Sequence, residues 1–156
     1  MCFFKKPIPQ PMPQPIPDPT PQPEVQKYDW TNPTTSRHSV RVICDEEGLT
    51  FDEKELICAT IECESGFDKN RTNKNKDGTA DYGICQMNTH WYIGEGKPIA
   101  SIDEAINDCE KCVRVMIRAY QGKLPGYRLK NWVCFSGNYF KKYYKGSEDL
   151  LKKLGK

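Results

Sequence analysis

Between Thr50 and Gly66, apolar residues recur at three- and four-residue intervals. At about 100° per residue, Leu56, Ile57, Thr60, Ile61, Cys63 and Phe67 share one face, which predicts an amphipathic helix. Thr50-Phe51-Asp52-Glu53 is a capping box that starts it, and Gly66 supplies the stop. Glu64 falls in the middle of the apolar arc. Glu62 falls on the opposite side with Glu55, where solvent is expected. Of the two glutamates, the periodicity therefore selects Glu64 as the one held against apolar neighbours.

The pattern then changes. Residues 70–79 are polar and turn-rich, and Asn75-Lys76-Asp77-Gly78 suits a reversal between two short strands, with Asp81 on the returning one. Ser101-Ile102-Asp103-Glu104 reads as a second capping box. Cys109, Cys112, Val113, Met116, Ile117 and Tyr120 follow at helical spacing, which predicts a core helix ending at Gly122. Asn131 to Phe135 reads as a short helical or irregular segment. Five aromatics between Phe135 and Tyr144 close the domain. Ser36 to Cys44 is apolar, but its pattern does not decide between helix and strand.

Pro stands at nearly every second position from Pro7 to Pro23, which favours extended polyproline II over helix or ladder. The expected organisation is a Pro-rich tail or linker over 1–27, a folded domain over 28–145 and a Lys-rich tail over 146–156, which could form a frayed amphipathic helix but is read as solvated. The Pro-rich tail could serve as a docking ligand for a partner, and the domain is expected as a monomer. Met1 to Lys6 runs into Pro7 before any apolar stretch develops, so no signal peptide is expected and the compartment is left open. No apolar run approaches the roughly 20 residues of a membrane span. With 23 basic and 21 acidic side chains the net charge is +2, which argues against a dedicated nucleic-acid binder.

Two acids in unlike surroundings suit glycosidic bond cleavage. Glu64, set against Ile57, Thr60 and Ile61, loses hydration, and that favours its neutral form. Asp81 lies in a polar setting expected to keep it charged. Trp91 and Tyr92, close to Gln86 and Asn88, suit a sugar, because rings cover apolar sugar faces and amides bind hydroxyls and N-acetyl groups. Each has a plainer reading: an ion-paired glutamate, or aromatics packed in a core. A third possibility concerns Asn73, Asn75, Asp77 and Gly78, which match the first half of an EF-hand loop. The glutamate needed at its last position is Ile84, which disfavours calcium. Neither His90 nor a Cys85–His90 pair makes a convincing metal or nucleophile site. The eight cysteines are compatible with buried thiols, with disulfides or, least well, with zinc, since Cys109 and Cys112 form a lone CxxC. No metal or cofactor is implied.

Glu64-Ser65-Gly66-Phe67, the loop from Asn73 to Gly78, and Asp81-Tyr82-Gly83-Ile84-x-Gln86-x-Asn88 followed by Trp91-Tyr92 resemble the active-site half of C-type lysozymes. More broadly they resemble the lysozyme-like superfamily, which includes the soluble lytic transglycosylases. The resemblance extends over roughly residues 40 to 140. It implies an α+β fold, mainly helical, with a small antiparallel β-hairpin lining a cleft. It implies Glu64 as the general acid and Asp81 as nucleophile or stabiliser of the oxocarbenium-like state. Asn73, Asn75, Asp77, Gln86 and Asn88 match polar cleft positions, and Trp91 and Tyr92 match the sugar-stacking pair. Trp132 matches the aromatic that packs on the acid.

The implied substrate is peptidoglycan, cut between N-acetylmuramic acid and N-acetylglucosamine, with action at the bacterial cell wall. Transglycosylases usually lack the second carboxylate, so Asp81 favours hydrolysis. Cys58, Cys63 and Cys85 depart from the C-type disulfide pattern, which points to a microbial or phage member, released by a phage, carried in a virion or exported by another route. A catalytically silent sugar- or calcium-binding module, and an interaction protein working through the Pro-rich tail, are the competing readings.

Overall fold

A computed structural model describes residues 27–156. The Pro-rich tail and its docking partner lie outside the described residues. The undecided apolar segment is helix α1, Pro33–Glu46. Asn32 caps it by accepting from the backbone of Thr34 and Thr35, and Pro33 at the first helical position needs no N–H partner. That start signal decides in favour of helix.

Helix α2, Phe51–Ser65, has the expected capping box between Thr50 and Glu53, and Gly66 ends it at φ 65°. Glu55 to Ile61 are all buried, so the helix is enclosed on every side over two turns. Burying Leu56, Ile57 and Ile61 contributes about 2 kcal/mol each. The expectation that Glu55 faces solvent is therefore wrong. Helix α1 crosses that side, and Arg41 pairs with the Oε1 atom of Glu55. Two turns further along α2, Glu62 pairs with Arg37 at 2.6 Å. A side that reads as solvent-facing in the sequence is thus covered through ion pairs.

The polar stretch forms a three-stranded antiparallel sheet: β1, Thr72–Lys74; β2, Ala80–Tyr82; β3, Met87–Asn88. Asn73 lies opposite Asp81, and Asp81 lies opposite Asn88. The predicted hairpin is present, and β3 adds a strand to it. Helix α3, Ile102–Asn107, and helix α4, Cys109–Tyr120, are separated at Asp108, which caps α4 by accepting from the Lys111 backbone. The predicted core face of α4 is buried from Cys109 to Ile117. The second capping box is half realised. Ser101 accepts from the Glu104 backbone, but the Glu104 carboxylate reaches Ala100.

Asn131 to Phe135 combines a 3₁₀ turn, Leu129–Asn131, with the one-turn helix α5, Val133–Ser136. The Lys-rich end is not a solvated tail. It forms helix α6, Glu148–Lys153, whose Leu151 is buried in the core, and the Ser147 backbone docks on Asp52 at 2.9 Å. An apolar residue spaced to face inward outweighs the surrounding charge.

The cysteine question is settled for one pair. Cys63 and Cys134 form a disulfide 71 residues apart in sequence, which in the chain-entropy picture stabilises the fold by about 4 kcal/mol. Cys44, Cys58, Cys85, Cys109 and Cys112 are buried free thiols. Among the described residues, no three His, Cys, Asp or Glu side chains are grouped to hold a metal ion.

Candidate active site

A cleft of about 420 Å³ opens between the sheet and the segment from Asn131 to Val133, and both Glu64 and Asp81 line it. The C-terminal end of α2 delivers Glu64 to its floor. Ser65 fixes that end by donating to the Ile84 carbonyl at 2.6 Å. Burial pushes the Glu64 carboxyl up to about 7; the Cys134 N–H, donating to Oε1 at 2.9 Å, pulls the other way, and the nearby Asp81 charge adds to the rise. Glu62 does not line the cleft and is held on Arg37.

Asp81 sits in contrasting surroundings. Its Oδ1 accepts from the Asn88 amide at 2.7 Å and its Oδ2 from the Asn75 amide at 2.9 Å. Each amide gives its other N–H to the Thr79 hydroxyl, at 3.1 and 3.0 Å. Thr79 in turn donates to Asp77, which also accepts the Thr79 backbone N–H. The network spans the turn, β2 and β3, so the sheet itself aims the carboxylate.

The other sequence-selected residues divide by what their polar atoms already do. Asn75, Asp77, Gln86, Asn88, Trp91, Tyr92 and Trp132 all line the cleft. Asn73 does not; it is exposed and donates to the Asn75 side-chain oxygen at 3.2 Å, one step behind the wall. Gln86 was expected to offer an amide to sugar. Instead both its N–H groups are used on the Arg71 and Gly83 carbonyls, which hold a backbone turn at φ 50°. Asn75 and Asn88 likewise have their N–H groups engaged within the protein. Trp91 is 60% exposed, with its ring perpendicular to that of His90, so much of its surface is open to a ligand. Tyr92, expected as its stacking partner, is buried between the rings of Tyr127 and Trp132 at 5.0 and 4.9 Å. It therefore supports the cleft wall instead of offering a free face.

Trp132 is 3% exposed and donates from Nε1 to the Cys85 carbonyl at 2.7 Å. This bond fixes the apolar wall that shares the cleft with Glu64. Sequence reasoning missed Thr79, Lys76, Asn131 and Val133 as lining residues, and the backbone N–H of Cys134. Thr79 carries a signal in its place at the end of the Asp77-Gly78 turn. A main-chain donor carries none.

No family model matches the chain. Over 41 residues it is 49% identical to lysozyme C-1 of Anas platyrhynchos, a stretch covering 26% of this chain and 27% of that protein. The chain thus matches only about a quarter of that relative's length. Its fold is similar to a crystal structure of a lysozyme from Litopenaeus vannamei, with a TM-score of 0.50 and 17% identity over 70% of this chain and 96% of that one. With six helices and a small antiparallel sheet among its described residues, the chain has a lysozyme-like fold, and over one 41-residue stretch its sequence is similar to a C-type lysozyme.

Proposed function

We propose that the protein is a peptidoglycan-degrading glycosidase that cleaves the β-1,4 bond between N-acetylmuramic acid and N-acetylglucosamine. Lysozyme is itself the standard worked case of paired carboxylates, so the roles of Glu64 and Asp81 are carried over from that similarity. The observation that carries the reading is the pairing of a half-buried Glu64, pushed up to about 7, with an Asp81 whose two oxygens are held by amides in the same cleft.

Glu64 is then protonated over much of the neutral range and gives its proton to the leaving glycosidic oxygen. Asp81 faces the opposite charge demand. As the bond breaks, positive charge grows on the sugar ring, and an aimed carboxylate stabilises it or attacks it. The exposed face of Trp91 offers a platform for an apolar sugar face. An Asp81 held by two amides supports hydrolysis in preference to transglycosylation, since transglycosylases usually lack the second carboxylate. Digestion of purified peptidoglycan and mass analysis of the products tests this. Reducing ends support hydrolysis. Products lighter by one water, with 1,6-anhydro ends, would mean transglycosylation, and no release from several wall chemotypes would remove the enzymatic reading.

A further inference from the structure

We propose that the Cys63–Cys134 disulfide is a positioning element for the acid, so that the glycosidase reaches full rate only in its oxidised form. This rests on the reading of Glu64 as the general acid. Cys63 is the residue before Glu64, and Cys134 is the residue whose N–H donates to Glu64 Oε1 at 2.9 Å. The sulfur bridge thus joins the residue adjoining the carboxyl to the residue that holds it. One hydrogen bond and one covalent bond close a small ring around the acid.

The partner side is also held by the Trp132–Cys85 hydrogen bond and by the buried Phe135, which stacks on Phe140 at 5.2 Å. Helix α5 is a single turn, Val133–Ser136, too short to be stable alone. The two residues before Cys134, Trp132 and Val133, line the cleft with Glu64. Untying the bridge therefore removes the covalent hold on the donor, while Trp132 keeps its bond to the Cys85 carbonyl. Cys63 is half-buried, whereas burial pushes the five free thiols up, away from the reactive thiolate form. Reduction by a dithiol is balanced: one thiolate attacks a bridge sulfur, the S–S bond breaks, and the second thiol closes the reductant into a disulfide. Two electrons and two protons pass to Cys63 and Cys134.

Two opposed influences set the pH response. The titratable groups that sense Glu64 are Asp81 of β2, Tyr92 and Cys85, besides the Cys134 N–H. Burial is the largest influence on Glu64. Losing the Cys134 N–H raises the titration and hydrating the wall lowers it, so a loss of positioning moves the titration away from its oxidised value.

The experiment compares oxidised wild type, wild type reduced with dithiothreitol, and Cys63→Ser/Cys134→Ser, with Cys63→Ala/Cys134→Val as a second variant that replaces the bridge by an apolar contact. Steady-state kinetics across pH is paired with carbon-13 NMR titration of the Glu64 carboxyl and with thermal unfolding. The expected result is a kcat about tenfold lower in the reduced and variant proteins, KM within about twofold, and an alkaline limb and Glu64 titration moved together from their oxidised positions. Dithiothreitol should leave the variants unchanged. An unmoved titration and kcat with only a lower Tm would overturn the proposal, and so would unfolding of the reduced protein and both variants in the cold. If the oxidised protein lacks activity, the functional reading fails, and the Glu64 titration still decides the positioning role.

Discussion

Asn88 gives one amide N–H to Asp81 at 2.7 Å and the other to Thr79 at 3.1 Å, so both are spent inside the protein. An asparagine that bound sugar would affect KM. One that aims a carboxylate should affect the chemical step. Asn88→Ala is therefore expected to lower kcat about tenfold with a smaller change in KM, as steady-state kinetics on a soluble glycan will show. A rise in KM alone would assign Asn88 to the substrate.

Trp91 makes the opposite prediction. Its ring is 60% exposed and packs only edge-on to His90. Trp91→Ala should raise KM roughly tenfold, equivalent to about 1.4 kcal/mol of lost binding, while Tm stays within the error of calorimetry.

The raised titration of Glu64 has a stability consequence. The group is neutral in both states at low pH. As pH rises from 4.5 towards 7, the unfolded chain ionises while the folded protein keeps its proton, so stability falls through that window and levels off above it. The shift from 4.5 to about 7 corresponds to about 3 kcal/mol. Glu64→Gln should therefore be more stable than wild type at pH 8, by on the order of 1–3 kcal/mol, and nearly equal to it at pH 4. Denaturant titrations at the two pH values measure the difference.

Gly83 joins the sheet to the helical side. It sits at φ 77°, and a Cβ placed there would lie 2.0 Å from the Ala105 carbonyl oxygen, which is backbone and has little freedom to move. Gly83→Ala is expected to cost about 3 kcal/mol or more and to lower expression or Tm sharply. A variant as stable as wild type would contradict the close approach of β2 to α3.

Much of the site was legible in the sequence because it is built from local patterns. Helical periodicity distinguishes Glu64 from Glu62, and turn chemistry places Asp81 on a returning strand. What failed depended on tertiary partners. Glu55 reads as exposed until α1 brings Arg41 across it. The Cys63–Cys134 pairing joins residues 71 apart, which no local spacing announces. Gln86, Asn88 and Tyr92 line the cleft, but their side chains are engaged within the protein, and residue type alone does not reveal prior engagement.

The most direct test is the release of reducing ends from purified peptidoglycan by wild type, Glu64→Gln and Glu62→Gln, each confirmed folded. Release by wild type and by Glu62→Gln, with none by Glu64→Gln, is the predicted result. An active Glu64→Gln protein, or a dead Glu62→Gln protein beside it, would contradict the assignment of the acid.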